Sequence, residues 1–334
     1  MIRQLLTAMK DNLIYVVLGS LFIGLAFGQI AGTETKSVLR AAVIPVLFVM
    51  IYPMMINIDL REIVNIRHHA TVIAVSLLIN FGIAPILAVG LSRLFFAGQI
   101  EYTIGLYFIA LIPTSGMTAA WTGLADGDLE AALVAMSVNL LAAVGVLPLY
   151  LSALIPGNVG FDPSALYQQL AFIVVVPMVA GVLTRSGLLR QYGTSGFKRL
   201  KPIFGGISSL GVMLIVFIAM AMRSQSILAD PLASMSTVIP LIIFYAVILA
   251  VGAFLGQAVL DDARGVSLVY ATSMRNLSIA VAVVAAPGFP PAEAVLPIAL
   301  AYVIQPPLGA VYMHYRRDIR QDDSSIREAV TRLV

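Results

Sequence analysis

The sequence predicts an all-α polytopic membrane protein of about ten transmembrane helices. Of its 334 residues, 60% are hydrophobic and 11% are charged, a balance that a water-soluble chain of this length has no means of burying. Apolar runs of about twenty residues recur along the chain without the two-residue alternation of a barrel strand. Helices then remain as the way to pair every backbone group in hydrocarbon. Basic residues, finally, collect in every second loop.

Charges and turn residues bound spans near 13–32, 38–58, 69–96, 101–125, 129–155, 165–188, 203–222, 233–260, 264–286 and 292–314. Arg3 and Lys10 ahead of the first run give it some look of a secretory leader. Its length from Leu13 to Ala31, the many spans that follow and Asp11 favour an uncleaved first span. An even number of spans puts both ends on one face. That face holds Arg3, Lys10, Arg61, Arg67, the Arg185 to Lys201 stretch, Arg264 and the Arg316 to Arg332 tail. The other face has Lys36, Arg40, Arg93 and Arg223, so both termini are expected in the cytoplasm and the chain in the cell (inner) membrane.

Residues 1–158 and 159–317 each hold five expected spans, with 318–334 as a cytoplasmic tail. Five is odd, so the second half runs oppositely across the bilayer, and inverted repeats recur in secondary transporters. Spans four and nine occupy equivalent places, and each is interrupted by a polar cluster. The first is Pro113-Thr114-Ser115-Gly116-Met117-Thr118 and the second Thr272-Ser273-Met274-Arg275-Asn276. Pro113 cannot donate a backbone hydrogen bond and Gly116 loosens the chain after it, so a helix break is expected. A broken helix frees backbone groups and exposes a partly positive half-helix N-terminus, which attracts anions.

Arg275 lies in the middle of an apolar span, where a bare cation costs about 2.5 kcal/mol or more. No carboxylate lies at that depth. Its expected partners are carbonyls freed by the breaks, the amides of Asn80, Asn139, Asn276 or Gln305, and an anionic substrate. Asn80, Asn139 and Gln305 either line a cavity or join helices. His68-His69 is expected to be a solvated loop end, and Asp128 to cap the fifth span.

Several functions are excluded. There is no cysteine, hence no disulfide, thiolate metal site or thiol nucleophile. Gly205-Gly206 has no P-loop lysine spacing, so no ATP is expected, nor any nucleic acid, cofactor or resident metal. No acid/base cluster at one depth marks an enzyme.

Val49-Met50-Ile51-Tyr52-Pro53-Met54-Met55, Ile112-Pro113-Thr114-Ser115-Gly116-Met117 with Trp121, and Asn276-Leu277-Ser278-Ile279-Ala280-Val281-Ala282 are three motifs whose order resembles the arsenite permease branch of the bile acid:sodium symporter superfamily. The resemblance implies two inverted five-helix repeats, a panel and a core, with spans four and nine broken and crossing at the substrate. That branch has a cysteine where this chain has Thr114 and a glutamate where it has Asn276. The sodium-coupled branch has a sodium-ligand glutamate at Ala271 and a neutral glutamine at Arg275. Together these readings predict a sodium-independent secondary transporter of a small anion. Thr114, Ser115, Thr118, Ser273, Arg275 and Asn276 would bind the anion, and a proton or an exchanged anion would drive it. Arsenite or antimonite efflux and sodium-coupled organic anion symport are the alternatives.

Overall fold

The computed structural model describes residues 13–57, 66–155, 164, 167–168, 171–229, 235–285 and 294–316. Among them helix is the only regular structure. The expected boundary at 158 and the tail 318–334 lie outside the described residues. We number the helices α1 (Leu13–Ile30), α2 (Thr33–Ile56), α3 (Ala70–Leu78), α4 (Ala84–Phe95), α5 (Ile100–Leu111) and α6 (Gly116–Leu124). They continue with α7 (Leu129–Leu154), α8 (Val176–Ala229), α9 (Val238–Val259), α10 (Asp262–Ser273), α11 (Leu277–Ala285) and α12 (Val295–His314). Among the described residues seven stretches are long and apolar enough to cross a membrane, and the bent pair α5–α6 makes an eighth. Large apolar side chains such as Phe22, Ile30, Ile86, Leu94, Phe172 and Phe254 lie exposed on the outside, a surface suited to lipid and not to water.

Local sequence explains where the helices bend. Between α3 and α4 the rod widens into a π-helical turn, Ile79–Ile83, just ahead of Pro85. Proline has no N–H for the carbonyl of Phe81, four residues back. The Tyr150 hydroxyl of α7 donates to that carbonyl instead, tying the bulge to its neighbour.

A loop is expected between residues 188 and 203, but α8 stays helical through this basic stretch and turns only at Gly193, with φ 65° and ψ 179°. Its leucines, lysines and arginines are good helix formers, and only glycine takes that backbone conformation cheaply. Across the turn, the Arg185 guanidinium lies 4.7 Å from the ring of buried Phe197.

Packing sorts the helices into two bodies. α8 lies against α1 and α2, while α3 to α7, α9, α10 and α12 pack among themselves, with α11 and α12 bridging to the first group. The Met50–Met55 motif of α2 meets glycines of α8. A Cβ at Gly211 would lie 2.6 Å from Met50 Cα, and one at Gly181 2.7 Å from the Met55 carbonyl carbon. Only glycine allows that backbone approach.

Candidate functional site

The two breaks fall at 112–115 and 274–276, as the sequence predicts, and they touch. α5 and α6 meet at 59°. Pro113 starts the bend, and Thr114 completes it with φ 38°, a left-handed conformation uncommon outside glycine and asparagine. Each second half-helix begins on a side-chain cap. Ser115 Oγ accepts from the Met117 N–H at 3.2 Å, and Asn276 Oδ1 accepts from the Ile279 N–H at 3.2 Å. Two half-helix N-termini therefore lie beside each other at the crossing, where the Ser115 N–H donates to the Met274 carbonyl at 2.8 Å.

Leaving the helix frees carbonyls, and buried side chains take them. Thr114 no longer offers its N–H to Ala110, whose carbonyl accepts from Arg275 Nη1 at 3.1 Å. Arg275 turns its own N–H away from Ala271, to Gln305 Oε1 at 2.8 Å and the Ser273 carbonyl at 3.1 Å. Asn80 Nδ2 donates to the Ala271 carbonyl at 3.2 Å and to Asn139 Oδ1 at 2.8 Å. Asn139 Nδ2 donates in turn to Ser76 Oγ at 2.7 Å. The amides of the third and fifth spans thus join helices and support the second break.

All nine polar residues singled out in the sequence are buried, so the crossing is enclosed. Several hydroxyls are engaged: Thr114 donates to the Met136 carbonyl at 3.3 Å, Thr118 to Tyr270 at 3.2 Å and Ser273 to Val269 at 2.7 Å. Their oxygens can still accept, but their protons serve the fold.

Arg275 is different. It is 1% exposed, and its Nε and Nη2 have no hydrogen-bond partner among the described residues. The Phe244 ring lies 5.6 Å from its Cζ. Next to Phe244, edge to face at 5.5 Å, stands Tyr245, fully buried with its hydroxyl unpaired among the described residues. Sequence reasoning missed both aromatics because α9 is apolar on every side and nothing in that run marks a facing residue. Among the described residues the crossing therefore brings together a cation with no carboxylate paired to it, unused donors and two helix N-termini.

An open cleft of about 210 Å³ lies elsewhere, at the start of α10, lined by Gly256, Gln257, Asp262, Tyr312 and Arg316 among others. The aromatic stack Trp121–Tyr270–Tyr312 and Met274 pack between that cleft and the crossing.

An all-helical, lipid-suited body with two broken helices meeting at a buried charge is the plan of a membrane transporter. Residues 44–230 match the family model of the Sodium Bile acid symporter family, and the chain belongs to that family. It is similar to the arsenical-resistance protein Acr3 of Alkaliphilus metalliredigens, 27% identical over 71% of this chain and 72% of that one. It is also similar to the Acr3 protein of Corynebacterium glutamicum, 22% identical over 79% and 75% of the two chains. A third relative is the uncharacterized transporter slr0944 of Synechocystis, 23% identical over 78% and 76%. The family match ends before Arg275, so the charged break is read from this chain's own residues.

Proposed function

We propose that the chain is an alternating-access secondary carrier of a small anion, an organic anion or an arsenic oxyanion, that works without sodium. One observation carries this reading: among the described residues, the fully buried Arg275 guanidinium has two nitrogens with no hydrogen-bond partner and no carboxylate paired with it. A buried cation in that state is costly unless a ligand completes it. Arg275 supplies charge, Tyr245 a hydroxyl donor, and the N-termini capped by Ser115 and Asn276 their dipoles. In this reading, residues 1–158 and 159–317 form the inverted repeats in the cell membrane with both ends cytoplasmic. The body that holds the breaks rocks against α1, α2 and α8.

Sodium independence follows from the same charge. A cation about 4 Å from the guanidinium would meet a repulsion of about 4 kcal/mol at a protein-like dielectric. The position matching the sodium-ligand glutamate is Ala271, and its carbonyl is taken by Asn80. Arsenite efflux is the second reading, favoured by the two Acr3 relatives. Against it, the chain lacks cysteine, and the Thr114 hydroxyl is a hard ligand engaged with Met136.

Counterflow in proteoliposomes, with labelled arsenate, lactate and arsenite in turn, tests the proposal. Exchange of an anion, chemically unchanged and equally fast with choline in place of sodium, is expected. Exchange of arsenite alone, or a strict sodium requirement, would overturn it.

A further inference from the structure

Charged groups at the face that carries the basic loops differ in how their charge is answered. At the start of α10 the answer comes from within the protein: Arg264 pairs with Asp261, and Arg316 with Asp262. His68 is exposed as the sequence predicts, but His69 is 3% exposed, and this corrects the expected solvated pair. Its Nδ1 is 4.0 Å from Asp128 Oδ2 and its Nε2 is 3.7 Å from Glu130 Oε1. The turn of α8 is unlike these. From Val176 to Ala229 the helix carries Arg185, Arg190, Lys198, Arg199, Lys201 and Arg223, and no aspartate or glutamate. Arg190, Lys198 and Arg199 are exposed, and none of the three is in an ion pair among the described residues.

We propose that this turn binds an anionic phospholipid of the adjoining leaflet, with the phosphate against Arg190, Lys198 and Arg199 and the acyl chains along the apolar stripe that leads up to them. Val176, Val179 and Leu183 are exposed and recur at the three- and four-residue steps of one helix face. Exposed Phe172 extends the stripe by a turn into the π-helical segment Ala171–Val175. In the other direction the same steps pass through exposed Gly187 to Arg190. A hydrocarbon-facing stripe therefore runs, without changing face, into a cation. A diacyl lipid presents its tails and its phosphate in that order. Tyr192, also exposed, adds an aromatic ring of the kind that sits at headgroup level.

The two arms of α8 supply the charges together. Arg185 of the first arm lies over the Phe197 ring of the second, so Arg190 on one side of Gly193 and Lys198 and Arg199 on the other bound a single turn. Because the stretch is helical and not a loop, these side chains project from a fixed backbone, which lowers the entropy lost on binding. The guanidinium forks of Arg190 and Arg199 suit paired phosphate oxygens, and Lys198 adds a point charge. Each basic residue at a membrane surface is worth about fivefold in affinity for anionic lipid. A dissolved anion is the weaker occupant, since it has no chains to lay on the stripe. α8 packs on α1 and α2, so a lipid held here anchors that body in the leaflet.

Lipid binding is measured without substrate, so it stands or falls apart from the carrier reading. Native mass spectrometry of the full-length protein in a non-ionic detergent, titrated with phosphatidylglycerol or phosphatidylcholine, gives the affinity for each lipid. Wild type should hold phosphatidylglycerol about tenfold or more tighter than phosphatidylcholine. Arg190→Gln should weaken phosphatidylglycerol binding about fivefold, and adding Lys198→Gln and Arg199→Gln should leave no preference between the lipids. Lys36→Gln with Arg40→Gln, which removes charge from the start of α2, should keep the preference. On wild type alone, raising the salt from about 0.15 to about 1 M should lower the preference several-fold by screening, which decides the matter even if a variant fails to fold. Inorganic phosphate should not displace the lipid. Equal binding of the two lipids by wild type overturns the proposal, as does a preference that survives the triple substitution or the added salt, or one lost equally in the α2 variant. Displacement by inorganic phosphate overturns it too, assigning the turn to a dissolved anion.

Discussion

The two breaks solve one backbone problem in different ways. At 112–115 the chain bends by 59° using proline and a left-handed threonine, and its freed Ala110 carbonyl is taken by a cation from the other break. At 274–276 there is no proline; α10 and α11 continue as one span with a short unwound step, and the freed Ala271 carbonyl goes to the Asn80 amide. The first break shapes backbone, and the second brings charge. Since one hydrogen bond to a carbonyl would satisfy the first break with any neutral donor, an arginine with two spare nitrogens is more than architecture requires.

The largest effect should come from removing that excess. Arg275→Met should abolish anion transport yet change stability by no more than about 1 kcal/mol, because relief of an incompletely paired buried cation offsets the loss of the donor to the Ala110 carbonyl. Thermal unfolding beside counterflow checks both; a large loss of stability would mark the arginine as structural. Pro113→Ala restores an N–H for the Ile109 carbonyl and should let α5 and α6 straighten, lowering transport about tenfold or more, a loss of over ~1.4 kcal/mol in the rate. Gln305→Leu removes both bonds between that amide and the Arg275 backbone and should cost about 1–3 kcal/mol of stability, read from thermal shifts. Thr114→Gly should be close to neutral, since relief of the φ 38° strain and loss of the bond to Met136 are each worth about 1 kcal/mol. Tyr245→Phe should change stability least, by under about 0.5 kcal/mol, because its hydroxyl has no partner to lose among the described residues. Its anion affinity should still fall several-fold in a binding titration.

Much of this was legible in the sequence because its signals are local. Proline and glycine three residues apart marked the first break, and a polar cluster in an apolar run marked the second. Asp128 announced its helix cap, which the Ala131 N–H confirms. What stayed hidden depends on residues brought together from distant spans. Arg275 was expected to find freed carbonyls or amides, and it found the Ala110 carbonyl; Gln305 instead serves the Arg275 backbone in both directions. Phe244 and Tyr245 carry no periodic signature in a helix that is apolar all round. His69 looked solvated because its carboxylates are two spans away in sequence, and the basic stretch around Gly193 looked like a loop because charge was taken as a sign of irregular chain.

The central claim is that Arg275 is the substrate's counter-charge and stands in the place of a coupling cation. Anion binding to the purified protein, wild type against Arg275→Gln, measured over a range of sodium concentrations, tests it most directly. The account predicts sodium-independent affinity in wild type and a loss of about 100-fold in the variant, the ~3 kcal/mol of a charge-assisted contact. Unchanged affinity in Arg275→Gln, or binding in wild type that tightens steeply with sodium, would contradict it.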